Sequence, residues 1–347
     1  MGQFVDWDLA AGTAGAFGRT GPAIELAEAR AVVADLRRLT EEAAGHVAAF
    51  TGLRAAVAHP PVRVVDRADW ARANVDGLRR VIGPLIGTLA DGKQPGPVAT
   101  AVGARLSGVQ AGTVLAYLSG RVLGQYEVFA GDPGQLLLVA PNIVDVERRL
   151  GADPRDFRLW VCLHEVTHRT QFTAVPWMRA HFLAEIAQFV EAAGDPGDLV
   201  ERLRRGLAGL AGAARDGKGS LVELVATPAQ RAVLDRITAL MTLLEGHAEF
   251  VMDEVGPEVI PSVATIRAGF NARRRGGNAV DRLLRRLLGV ETKMRQYAEG
   301  RTFVHGVVER VGMAGFNRVF ASPLALPHLD ELTAPERWIA RVHDTAA

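Results

Sequence analysis

Apolar residues recur along most of the chain at spacings of three and four with charged faces between them, the period of amphipathic helices that share a core. Ala23 to Phe50 and Arg67 to Leu89 follow it, separated by a turn at Pro60 and Pro61. Arg179 to Ala193, Asp198 to Ala214 and Thr227 to Val255 continue it, and the Gly92 to Pro97 stretch reads as a loop. The segment from Tyr126 to Ile143 breaks the period. Within it, Gln135-Leu-Leu-Leu-Val-Ala140 is a short apolar run between Asp132-Pro-Gly134 and Pro141-Asn142, the pattern of a buried or edge strand. The pattern predicts a mainly α (α+β) fold with a small sheet. A helical N-terminal subdomain over residues 1–115 precedes a second region over 116–347, with one continuous domain as the alternative.

Directly after the strand, Asp153 is placed to cap a helix with Pro154 in its first turn. Phe157, Trp160, Val161, His164, His168 and Phe172 then form one inward stripe. His164-Glu-Val-Thr-His168 is the chemical feature of this helix. Positions four apart stack on one face about 6 Å apart at Cβ, so His164 and His168 can present two imidazole nitrogens to one ion, with Glu165 beside them. Such a site reads as zinc with an open position for water and a neighbouring carboxylate, Glu165, as general base. Cys162 lies two residues before the motif and points elsewhere, as a small buried hydrophobe.

A second helix carries a matching anomaly. Thr227-Pro-Ala-Gln230 is a capping-box start, and the stripe that follows, from Val233 to Met252, is interrupted by Glu245 and Glu249 on one face. Burying two carboxylates costs several kcal/mol unless they are paired, hydrogen-bonded or metal-bound. Gly246 beside them costs roughly 1 kcal/mol relative to alanine in a helix interior, which the close approach of another helix would explain.

Composition narrows the classes. The 347 residues are 48% hydrophobic and 23% charged, a globular balance with enough length for a sizeable core. Forty basic against 39 acidic residues leave a formal charge of +1, which argues against nucleic acid or an anionic membrane as partner. The basic side is nearly all arginine, and Arg273-Arg-Arg-Gly-Gly277 reads as a solvated loop. A single cysteine excludes an intrachain disulfide framework, and no apolar run reaches membrane-spanning length. With no recognisable signal peptide, a soluble cytoplasmic protein is expected; the oligomeric state stays open.

The histidine motif followed by a downstream Glu-Gly-x-Ala-Glu helix resembles the gluzincin branch of the zincin metallopeptidases. By that resemblance Glu245 is the third zinc ligand, and Glu249, one turn on, orients a ligand histidine. The register in which Glu249 is the ligand and Asp253 its follower fits the gluzincin pattern too. A closer resemblance covers nearly the whole chain: Val175-Pro-Trp177, Glu245-Gly-His-Ala-Glu-Phe-Val-Met-Asp253, Lys293-Met-Arg-Gln-Tyr297 and Gly312-Met313 are similar to the actinobacterial zincin-like hydrolase family. Some of its members carry a label of association with deazaflavin coenzyme biosynthesis. The resemblance implies a zincin-like fold and a zinc metallopeptidase or related hydrolase acting on a peptide or other amide. Two features depart from it. Arg169 stands where many zincins carry an uncharged residue, and the long gap from His168 to Glu245 implies an insertion or a cover over the site.

An oxyanion donor is also needed, and His247, Tyr297 and His305 are the candidates. Trp177 reads as a packing anchor, and Leu324 to Trp338 as an ordered arm without chemistry. The alternative function is a catalytically silent scaffold that keeps the zincin architecture to bind a partner or small ligand.

Overall fold

The computed structural model describes residues 5–56, 58–89, 97–192, 226–275 and 290–343. In chain order these form α1 (Trp7–Phe17), α2 (Leu26–Thr51), β1 (Arg63–Val65), α3 (Arg67–Leu89), α4 (Pro97–Ser119), β2 (Gly124–Glu127), β3 (Gln135–Val139), α5 (Ala140–Leu150), α6 (Pro154–Thr173) and α7 (Met178–Glu191). After residues outside the description come α8 (Pro228–Val259), α9 (Val263–Arg275), α10 (Val290–Phe316) and α11 (Pro335–His343). The fold is mainly helical with one small mixed sheet, the mainly α (α+β) class that the sequence pattern predicts. Among the described residues no helix is long and apolar enough to cross a membrane. The helix expected over Asp198 to Ala214 and the Arg273-Arg-Arg-Gly-Gly277 side chains lie outside the described residues.

The chain divides into two compact units, Met1–Arg179 with Val251–Ala272, and Ala180–Phe250 with Arg273–Ala347. The first holds the sheet, in the order β1-β3-β2, with β1 parallel and β2 antiparallel to β3. β3 is therefore central, which explains its uninterrupted apolar sequence: Leu136 to Val139 are all buried. Both sides of β3 are paired, which leaves β1 and β2 as the edge strands. Leu137 and Val139 pack into a core with Trp7, Val65, Trp70 and Leu115. On the other face Tyr126, cross-strand from Leu136, stacks on Phe172 of α6 with ring centroids 5.3 Å apart.

Each helix that matters to the site begins where its sequence says it should. The Asp153 carboxylate accepts from the Asp156 N–H at 3.0 Å at the start of α6, with Pro154 in its first turn. Before α8 the capping box closes in both directions, Thr227 Oγ1 accepting from the Gln230 N–H and Gln230 Oε1 from the Thr227 N–H, each at 3.0 Å. α6 is held by its neighbours on several sides. Arg158 is bidentate to Glu147 of α5 at 2.8 and 3.0 Å and reaches Asp35 of α2 at 3.0 Å. Trp160 meets Phe270 of α9 edge to face at 5.0 Å. Asp156 receives both the N–H and the hydroxyl of Ser262 at the head of α9.

In the second unit α7 is tied to α8 by Arg236, which donates through Nε to both Glu185 oxygens at 2.9 and 3.0 Å. The close helix approach expected at Gly246 is present: a methyl group there would overlap the backbone of Gly300 on α10, and one on Gly300 would overlap the carbonyl oxygen of Thr242. The two helices thus cross in backbone contact one residue from Glu245. The C-terminal segment, expected as an ordered arm, is ordered. It carries α11, whose buried Trp338 donates from Nε1 to the Ala325 carbonyl at 2.8 Å and meets Phe303 edge to face at 5.8 Å.

Glu127 on β2 is buried against Gly77 of α3, where a methyl group would lie 2.9 Å from its carboxylate. It accepts from the Phe129 N–H at 2.9 Å and from Gln125 Nε2 at 2.5 Å, while Gln125 also bonds Asn74. Burial pushes its carboxyl up from 4.5 to about 7, against the Phe129 hydrogen bond and the attraction of Arg80.

Gly300→Ala and Gly246→Ala should each destabilise by about 3 kcal/mol or more, since a backbone clash is relieved only by moving a helix. Gly45→Ala on α2, where a methyl group meets nothing within 4 Å, should stabilise by up to about 1 kcal/mol; urea denaturation of the three variants checks both signs. The folded Glu127 holds its proton above the ordinary value of 4.5, so its contribution makes stability fall as pH rises from there to about 7 and level off beyond. Glu127→Gln should remove that slope, at most about 1.4 kcal/mol per pH unit, in denaturation curves taken from pH 5 to 8.

Candidate metal centre

His164 and His168 project one turn apart from α6, half-buried, with ring centroids 4.7 Å apart and planes at 90°. Their Nε2 atoms face each other at 3.2 Å. Together with a Glu245 carboxylate oxygen they form a group whose ligand atoms all lie within 4.8 Å of one another. Four-coordinate zinc, with bonds of about 2.0–2.1 Å, sets neighbouring ligand atoms about 3.3 Å apart, so the imidazole pair already stands at that spacing. Two neutral nitrogens and one anionic oxygen are also a donor set that zinc favours, and three ligands leave a fourth position for water. The group fits the metal.

Glu165 is buried at 7% exposure, and its carboxylate occupies the place a side chain on residue 124 would take: a methyl group on Gly124 would lie 2.6 Å from its Cδ. Gly124 opens the edge strand β2, so that strand begins against the carboxylate. Nothing in the local sequence marks Gly124. Gln171 was also passed over. It is fully buried, three residues after His168, with its Oε1 3.0 Å from His168 Nδ1; its position one helical turn on was the available signal.

The remaining sequence candidates are dispersed. Glu249 is half-buried one turn beyond Glu245 and is not part of the three-residue group. Asp253 is ion-paired with Arg267 of α9. His247 is fully buried, its ring 5.1 Å from Phe316 and 5.7 Å from Phe320. The side chain of His305 is 56% exposed and lies 3.9 Å from Glu309. Tyr297 belongs to α10, but its side chain lies outside the described residues, as does much of the expected cover between His168 and Glu245.

Burial sets the character of the other groups on α6. The Cys162 thiol, 3.7 Å from Thr40 Oγ1, is pushed up to about 12 by desolvation, which makes it an inert packing residue. Arg169 is 3% exposed, and its Nη1 has no hydrogen-bond partner among the described residues. Desolvation lowers its guanidinium from the ordinary value, while Glu41 pulls it back. Tyr126 is likewise pushed up to about 12 by burial, and its hydroxyl is committed to the Pro133 carbonyl.

Comparison with known proteins bears on the family. The family model described as zincin-like metallopeptidase matches residues 5–339. A crystal structure from Chloroflexus aurantiacus, described as a putative hydrolase with a novel fold, is similar over 97% of this chain and 98% of that one, with 31% identity and a TM-score of 0.71. No curated protein matches. With a histidine pair and a glutamate brought to one point and the match running through nearly all of its length, the chain belongs to the zincin-like metallopeptidase family.

Proposed function

We propose that the protein is a zinc-dependent metallopeptidase in which His164, His168 and Glu245 hold the metal and Glu165 is the general base. The observation that carries this reading is that ligand atoms of His164, His168 and Glu245 lie within 4.8 Å of one another, with the buried Glu165 next to His164 on α6. When bound, zinc supplies an electrophile for a carbonyl oxygen and acidifies a water. Glu165 takes a proton from the attacking water and returns it to the departing amine, the two transfers that one carboxylate performs in sequence. Its walling-in by Gly124 limits where the carboxylate can swing. An amide substrate lying along the outer edge of β2 would meet backbone hydrogen-bonding groups beside Glu165, so an extended peptide is the substrate class that this arrangement favours.

Elemental analysis and peptide-library turnover test the assignment together. Glu165→Gln should keep its zinc and lose about 10²- to 10⁴-fold in kcat. Glu245→Ala should lose zinc while Glu249→Ala retains most of it; equal zinc in both variants and wild type would remove Glu245 as ligand. Zinc retained by a wild-type protein that turns over no peptide in the library would instead favour a silent binding scaffold.

A further inference from the structure

Resting on the metal reading above, we infer that Gln171 is the positioning residue that selects the tautomer of His168 and so sets how tightly the site binds metal. A neutral imidazole carries one N–H and one lone pair, and only the nitrogen with the lone pair can ligate. The Gln171 Oε1 atom, 3.0 Å from His168 Nδ1, is an acceptor without a proton to give. It therefore holds the imidazole proton on Nδ1. The lone pair then falls on Nε2, the atom that faces His164 Nε2 at 3.2 Å. The opposite tautomer would put an N–H into the metal position and set Nδ1 lone pair against carbonyl lone pair.

Two features make the contact a lock. Gln171 is 0% exposed, so water does not compete for its oxygen, and its residue is three along the same helix as His168, which fixes the spacing by backbone geometry. The choice of an amide over a carboxylate has its own consequence. An amide oxygen orients the ring without adding negative charge, whereas a carboxylate at the same place would make the imidazole a stronger donor to a cation. Gln171→Glu is thus a conservative change that keeps the acceptor and strengthens it, and Gln171→Leu removes the acceptor at similar volume.

The experiment reads tautomer and metal separately. Histidine ¹⁵N NMR of the zinc-free protein should show His168 protonated at Nδ1 in wild type and Gln171→Glu, and a mixture or the Nε2 form in Gln171→Leu. Chelator competition should show zinc bound about 10- to 100-fold more weakly by Gln171→Leu and at least as tightly as wild type by Gln171→Glu. Wild-type zinc affinity in Gln171→Leu, or an unchanged His168 tautomer, overturns the inference. If wild type binds no zinc although the tautomer follows residue 171, the lock stands and the metal reading falls. Should Gln171→Leu not fold, Gln171→Glu decides: a tenfold loss of zinc affinity overturns the proposal.

Discussion

A helix that must present two imidazoles and a carboxylate at defined angles has to be immobilised everywhere else, and the burial of α6 meets that constraint. Cys162 packs on α2 through Thr40, and Arg158 joins α2 and α5 by ion pairs. Trp160 and Asp156 are engaged by α9, and Phe172 is stacked on the sheet. A rotation of α6 about its own axis would break contacts on several sides at once. His164 and His168 are among the few side chains of α6 left half-buried. Rigid placement of this kind is what lets ligands stand ready without the reorganisation cost that a mobile site would carry.

Glycine serves the same end at two places by removing side chains. Gly246 and Gly300 let α8 and α10 meet backbone to backbone next to Glu245, and Gly124 clears the space that the Glu165 carboxylate fills. In both cases an added Cβ would lie under 3.0 Å from atoms already in place. Arg169 is the counter-example of a polar group that the fold buries with incomplete pairing. An unpartnered guanidinium nitrogen beside the motif is a cost of several kcal/mol in principle, and the described packing does not explain why the position is not apolar.

The motif, both capping signals, the strand at Gln135 to Val139 and the conflict between Gly246 and its helix were legible in the sequence because each is a local matter. A cap, a four-residue repeat or a glycine in a helix interior carries its physical meaning within one or two turns of chain. The helix that closes the chain depends on Trp338 finding Ala325 and Phe303, contacts that no short window of sequence contains. β1 and β2 were missed as strands for a related reason: at three and four residues they are defined by pairing with β3 and have little pattern of their own.

By itself the sequence determined that His164 and His168 share a face with Glu165 beside them, since helical geometry follows from 3.6 residues per turn wherever the helix sits. It also narrowed the acidic partner to Glu245, Glu249 and Asp253. Which of these reaches the imidazoles was decided only by tertiary structure, because helical phase orders residues around one axis but does not say where another axis crosses it. The backbone contact at Gly246 and Gly300, the Arg267 partner of Asp253 and the packing of His247 against Phe316 and Phe320 distribute those candidates among different environments. Among the described residues, the group that comes within 4.8 Å is His164, His168 and Glu245.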